Sequence, residues 1–480
     1  MKKLASVLIA ASMLLVLILP LSSCSEAARL SRMDEAERAS RFYALVDSNM
    51  NNAESFVYDQ TMVLDVTIDG SAYKQTTDVS VAYSFGSDTM THVEKSVTTV
   101  DRVGKGTVIY MDTGYIDGMM FSYAKEGNNV TKLKSSLSPT EYSSFLQYRN
   151  DKAPLIDMSA DHAKTVTCKQ NEDDTWVATY EGFTAEGMTP FLYMLRGVDF
   201  YLTDEHDLVD VRMTITANRD FYPTTSKIEF IFAENPEAQS GVPVVSLESV
   251  YHGWNETDLT NAYDVSDFTK VRDLRAVDVF LDALLDRSYA EQGTVNVKTS
   301  TLTTKGNVSV TSGERQKMTY SNRDGFAFEL FTEEDDYEYE MTYADGNLHV
   351  HKYDDGGNLI NTTDEPMSYA EARATATQII DAHGLSSRSF SDVKITDAET
   401  GICRFTLSDA FANAYKEAYE MSGATLSNFT GRCEAVLGDG VLTKYSYHME
   451  MTLQARGGTY RVTVDIIVIF GALEQDTETV

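Results

Sequence analysis

Tyr115-Ile116-Asp117-Gly118 and Tyr343-Ala344-Asp345-Gly346 are two copies of one turn signal. Each is led by a tyrosine and ends in Asp-Gly, the pair that supplies the positive φ a tight two-residue hairpin demands. The two turns lie 228 residues apart. Shortly after each comes a second matched signal, Ser138-Pro139-Thr140-Glu141 and Ser368-Tyr369-Ala370-Glu371, at a spacing of 230. Both read as helix starts in which the serine accepts from a free helix amide and the glutamate reaches back to the serine N–H. One capping box is common; two at the offset of two hairpin turns point to an internal duplication.

The same order of elements appears in both halves. An amphipathic helix opens each: Phe42, Leu45, Val46 and Met50 form the stripe of the first, introduced by Ser31 with Asp34 three residues on. Val277, Phe280, Leu281 and Leu284 form the stripe of the second. Alternating segments follow, with Met62, Leu64, Val66 and Ile68 in one half and Val295, Val297, Val308 and Val310 in the other. Beyond the capping boxes, a strand at Trp176–Tyr180 and a helix with Met188, Phe191, Leu192 and Leu195 match Cys403–Leu407 and a helix with Phe411, Ala414, Tyr415 and Ala418. Each half then closes on two alternating strands, Val209–Ile215 with Ile228–Phe232, and Tyr445–Leu453 with Tyr460–Phe470. The expected class is α+β, as two tandem domains, each a curved antiparallel sheet (a half-barrel) packed on a few helices. Domains of about 200 residues are of ordinary size. The expected boundaries are 31–260 and 273–475, joined by a polar linker at 261–272. The alternative is one large α+β domain whose elements merely look alike.

The N-terminus is an address. Lys2 and Lys3 precede an uncharged apolar run from Leu4 to Leu19, and Leu21-Ser22-Ser23-Cys24 has the form of a bacterial lipobox. Residues 1–23 are expected to be a signal peptide, Cys24 the lipidated residue, and 24–30 a tether. An uncleaved membrane helix is the alternative, against which Pro20 and the Ser22-Ser23 pair argue. The formal charge is −33, and removing a leader with two lysines and no acid makes it −35. Such a surface lacks the basic patches that neutralise phosphates, which excludes nucleic acid as an expected partner. Hydrophobic content of 42% with 21 Phe, 27 Tyr and 2 Trp excludes wholesale disorder. After Cys24 only Cys168, Cys403 and Cys433 remain, too few for a disulfide framework; Cys403 and Cys433 are left open between one bridge and two buried thiols.

The layout resembles the LolA/LolB/LppX superfamily of envelope lipoproteins and lipoprotein carriers, once per half. The Asp117-Gly118 and Asp345-Gly346 hairpins resemble the turn into the middle strands of that fold, and Val209–Phe232 and Tyr445–Phe470 resemble its last hairpin. The resemblance implies a curved sheet wrapped around helices. It transfers no functional residue.

No catalytic motif stands out: there is no Gly-x-Ser-x-Gly, His-Glu-x-x-His or Walker-type loop. Ser71-x-x-Lys74 follows a hairpin turn, whereas the chemistry of that pattern needs a helix start. His349 and His351 share a strand face and would need further ligands to hold zinc. The acidic run Glu333–Asp336 lacks the spacing of a calcium loop and reads as a solvated hairpin tip. No enzyme activity, cofactor or metal is expected. The expected function is a membrane-anchored extracytoplasmic lipoprotein that binds a lipid or other apolar ligand between sheet and helices. Phe411, Tyr415, Tyr447 and Met449 are the lining candidates, because flexible thioethers and aromatics suit such ligands. The alternative is a non-enzymatic structural or protein-interaction component of the envelope, with an envelope protein as partner.

Overall fold

A computed structural model describes most of residues 26–471; 153–161, 196–205 and a number of shorter stretches lie outside the description. The first half runs α1 (Glu26–Leu30), α2 (Glu35–Asn52), β1 (Ser55–Ile68), β2 (Ser71–Phe85), β3 (Met90–Arg102), β4 (Lys105–Ile116), β5 (Met119–Glu126), β6 (Asn129–Ser136), α3 (Pro139–Lys152), β7 (Ala163–Gln170), β8 (Trp176–Phe183), β9 (Leu208–Ala217), β10 (Pro223–Phe232) and β11 (Val244–His252). A two-residue strand β12 (Thr269–Lys270) leads into the second half. That half runs α4 (Arg275–Ser288), β13 (Gln292–Lys305), β14 (Val308–Ser321), β15 (Ala327–Glu334), β16 (Tyr337–Ala344), β17 (Asn347–Asp354), β18 (Leu359–Pro366), α5 (Tyr369–Ile380), β19 (Phe390–Asp397), β20 (Ile402–Leu407), α6 (Asp409–Met421), β21 (Thr425–Gly438), β22 (Val441–Ala455) and β23 (Gly458–Phe470).

Two sheets result, ordered 12-6-5-4-3-2-1-11-10-9-8-7 and 18-17-16-15-14-13-23-22-21-20-19. Apart from β12 the orders are identical. Six strands meander, a helix intervenes, and five more strands meander back until the last pairs with the first: β11 with β1, β23 with β13. Every pairing is antiparallel except the short parallel β12–β6 contact. Neither sheet closes into a barrel. The matched turns have matched geometry: Asp117 and Gly118 have φ of 50° and 76°, Asp345 and Gly346 φ of 50° and 77°.

The helices pack on one surface of each sheet. In the second half Phe280 of α4 lies against Phe390, Phe405 and Tyr445 at ring separations of 6.2, 5.2 and 5.9 Å. Tyr445 also donates from its hydroxyl to the Ile380 carbonyl at the end of α5, at 2.6 Å. In the first half the Arg38 guanidinium of α2 donates to the carbonyls of Leu30, Cys168 and Met33 at 3.0, 2.9 and 2.8 Å, tying the helix to the β7 edge. Tyr180 donates to the Ala39 carbonyl at 3.0 Å.

Three expectations need correction. The fold is more strongly β than α+β implied: short helices sit on two large sheets whose longest strands reach 15 residues. The first long helix is capped by Asp34, whose side chain accepts from the Glu37 N–H, and not by Ser31. The closing strands were matched one place out of step. Sheet order makes β9 the counterpart of β21, β10 of β22 and β11 of β23, because β21 and β11 both belong to the ladder. The Ser138 box forms as expected, with Glu141 accepting from the Ser138 N–H at 2.9 Å and donating its own N–H to Ser138 Oγ at 3.2 Å. Ser368, the start of its counterpart, lies outside the described residues.

The stretch between the halves is docked rather than loose. Tyr263 and Phe268 pack on Phe121, with ring centroids 4.5 and 6.1 Å away, on the surface of β3–β5 opposite the helices. Tyr263 donates to Asp112 at 2.5 Å, Lys132 pairs with Asp267 at 2.6 Å, and Lys134 donates to the Val265 carbonyl at 2.6 Å. The Val271 N–H then continues onto the Lys134 carbonyl at 2.8 Å.

Candidate functional site

Directly paired residues of an antiparallel sheet share a face, so register alone maps the helix-facing surface of the second sheet. One row runs Tyr447–Ile466–Thr299–Glu314–Glu334 across β22, β23, β13, β14 and β15. The next runs Met449–Val464–Thr301–Ser312. On the β22–β23 side these positions are apolar and buried. On the β13–β15 side they are polar and at least partly exposed. The change takes place over roughly 15–20 Å, at about 4.8 Å per strand.

An open trough of about 330 Å³ lies on this polar side, lined by Thr299, Thr301, Ser312, Gly313, Glu314, Glu334 and Tyr337. Glu314 and Glu334 stand directly opposite each other on β14 and β15. Burial first, and then the Glu334 charge, push the Glu314 carboxyl above its ordinary value; a hydrogen bond from Gln316 Nε2 at 2.7 Å opposes them. Lys352 shares this face: its ammonium sits 3.7 Å from the Tyr337 ring centre and feels the Glu334 charge. Along the same face of β14, two and four residues beyond Ser312, come Val310 and Val308, exposed by 62% and 67%. One strand face therefore presents two open valines, a hydroxyl and a carboxylate in succession.

The four candidates named from sequence are brought together, behind the trough rather than in it. Phe411 and Tyr415 of α6 are 5.7 Å apart, and Phe411 lies 6.2 Å from Tyr447. Phe429 of β21 joins both at 6.0 Å, a partner that sequence reasoning missed. Phe411, Tyr447 and Met449 are buried and Tyr415 is half-buried. The predicted alternation holds: Tyr445, Tyr447, Met449 and Met451 point inward, and Ser446, His448 and Glu450 do not. The trough residues were also missed. Their signal lay in the run Thr299-Ser300-Thr301, which occupies positions that hold apolar residues in the first half.

The remaining sequence candidates lie away from the trough. Cys403 and Cys433 lie on adjacent strands two residues out of register and are free buried thiols, as is Cys168. Burial pushes Cys168 up to about 12 and Cys403 up to about 11, and Cys433 is raised well above its ordinary value. His349 pairs with Asp364 across the strand at 2.7 Å and His351 with Thr362 at 3.2 Å. Among the described residues no three potential ligands gather around a metal site, and no helix is long and apolar enough to cross a membrane. Cys24 and the centre of the acidic run, Asp335 and Asp336, lie outside the described residues.

No family model and no curated protein matches the chain. A crystallised domain from Vibrio parahaemolyticus, assigned to outer membrane lipoprotein sorting, is 10% identical; the match covers 42% of this chain and 94% of that one, with a TM-score of 0.16. A DUF1329 family protein from Desulfovibrio piger is 12% identical over 48% of this chain and 97% of its own, at 0.19. A DUF3598 family protein of unknown function from Nostoc punctiforme is 6% identical over 89% and 98%, at 0.13. These likenesses are weak.

Proposed function

We propose that the protein is an exported lipoprotein, tethered to a membrane through Cys24 on the extracytoplasmic side, that binds a lipid-like amphiphile in the trough of its second half. The observation that carries this reading is the succession Val308, Val310, Ser312, Glu314 on one open strand face, beside the 330 Å³ trough. An amphiphile needs an apolar strip and a polar end within about 20 Å of each other, and six residues of strand supply that length. The packed wall of Phe411, Tyr415, Tyr447 and Met449 backs the site and holds β22 and β23 in place. In this reading the two halves are separate domains, 31–260 and 273–475, each sheet is a half-barrel of the LolA/LolB/LppX kind, and the activity is binding rather than catalysis.

Native mass spectrometry of the mature chain, together with Nile red titration, tests the idea. One saturable site with added mass from a co-purified amphiphile is expected. Absence of both would leave the interaction reading, which rests on β18: an open edge strand whose Leu359 and Ile360 are more than half exposed.

A further inference from the structure

The two halves can be superposed residue by residue through their turns. From Tyr115 and Tyr343 the registers lead through His92 and Phe328, then Tyr83 and Tyr320, to Phe56 and Gly293. Six and eight residues along, Met62 and Leu64 stand where the trough has Thr299 and Thr301. Gln75 stands for Ser312, Ile109 for Tyr337, and Thr77 and Thr98 for Glu314 and Glu334. Met62, Leu64 and Gln75 are buried. Thr77 and Thr98 hydrogen-bond to each other at 3.1 Å, so the counterparts of the two carboxylates satisfy one another. The connections differ too. The β10–β11 loop spans Ala233–Pro243 and is pinned by His206, which reaches the Ala233 and Ser240 carbonyls at 3.0 and 3.2 Å. The corresponding β22–β23 connection is only residues 456–457.

From this divergence we infer that only the second half binds, and that it selects amphiphiles whose head donates hydrogen bonds, an ammonium or a polyol, over those with an anionic head. The inference rests on the amphiphile-binding reading above and adds location and head-group chemistry. Ionised carboxylates accept and never donate, and the threonine, serine and tyrosine hydroxyls can serve as acceptors beside them. Two like charges directly opposite on neighbouring strands repel; a donor head placed between them relieves that repulsion, and a carboxylate or phosphate head adds to it. Lys352, held over Tyr337 at the far rim, feels the Glu334 charge, whereas the charged neighbour that Glu314 feels is the Glu334 carboxylate.

The test is calorimetric titration of the mature chain with decylamine, octyl glucoside and decanoate, each below its micellar concentration. Decylamine and octyl glucoside are expected to bind, with decanoate at least tenfold weaker. Glu314→Gln with Glu334→Gln should weaken decylamine at least tenfold, bring decanoate within a few-fold of it, and leave octyl glucoside nearly unchanged. Ser312→Trp, at an exposed strand position, should block all three. Thr77→Trp, two residues from the corresponding place in the first half, should block none. If no probe binds the unaltered chain, the amphiphile reading itself fails. If probes bind but decanoate equals decylamine, or the glutamine pair changes nothing, the head-group assignment alone is overturned. If Thr77→Trp blocks binding and Ser312→Trp does not, the assignment to the second half is overturned.

Discussion

Met449→Ala separates a packed wall from a ligand-lining one. Met449 is 0% exposed, paired with Val464 on β23 and facing Gly431 on β21. Gly431 is not free to fill the space left behind, because a Cβ there would come within 2.5 Å of Leu407 Cδ1. Truncation removes three heavy atoms, worth about 2.4 kcal/mol at about 0.8 kcal/mol each. A residual cavity on the order of 50 Å³ adds about 1 kcal/mol at ~24 cal/mol per Å³. The expected loss is therefore about 3–4 kcal/mol, read by urea unfolding followed through circular dichroism and tyrosine fluorescence, with an unchanged denaturant slope. Nile red affinity at the trough should move less than about twofold, because the side chain lies behind the site and not in it. A loss under about 1 kcal/mol together with a tenfold drop in Nile red affinity would refute the packed-wall reasoning. The ligand would then reach into the space between α6 and β22, as the sequence alone suggests.

Other outcomes follow from the same observations. Cys24→Ala should abolish labelling by a fatty-acid analogue; equal labelling of both chains would remove the lipid anchor. A fragment 31–274 should be more stable than 31–260, because the shorter one uncovers Val93, Ile116 and Phe121 by losing Tyr263 and Phe268; equal melting temperatures would show that the docked stretch contributes nothing. In the Cys24→Ala chain the three remaining thiols should resist Ellman's reagent at pH 8 and react together in guanidinium, since raised, buried thiols supply little thiolate. Glu314 has its folded value raised, so its contribution to stability is fully present below the unfolded value and lost as pH rises through the folded one. Glu314→Gln should accordingly stabilise at pH 7, with the difference fading as the pH falls through the carboxylate range. A destabilised glutamine variant at pH 7 would contradict the repulsion between Glu314 and Glu334.

The duplication was legible because its markers are local. Asp-Gly needs no tertiary context to demand positive φ, and a capping serine announces itself three residues before its glutamate. What stayed hidden depends on register. β21 alternates poorly, since only its latter half buries a regular face, and β11 carries exposed Val244 and Val250 among its buried residues. Neither reads as a strand of a closing pair, so the matching slipped by one. The trough was hidden for the same reason: Thr299, Ser312, Glu314 and Glu334 lie on three strands, and only their pairing makes them one surface. The aromatic cluster around Phe411 was legible because residue type and spacing name it without register.

The two halves differ in what covers the faces of their sheets. On the surface away from the helices, the first half has Val93, Ile116 and Phe121, and the chain itself covers them with Tyr263 and Phe268. Register gives their counterparts in the second half as Glu329, Ala344 and His349, where no described segment lies across the sheet and His349 is paired with Asp364 instead. The covered positions carry large apolar side chains, and the uncovered ones carry Glu329, His349 and only the small Ala344. On the helix-facing surface Met62, Leu64 and Tyr73 are buried. Val308 and Val310 are not, since they share an uncovered face with Ser312 and Glu314. Isolated exposed valines are ordinary. Two in succession on one strand face, ending in a carboxylate pair that costs stability, are a combination that folding alone does not favour. In the proposed reading an amphiphile, with its chain over the valines and its donor head at Glu314 and Glu334, would cover this face as Tyr263 and Phe268 cover Phe121 in the first half.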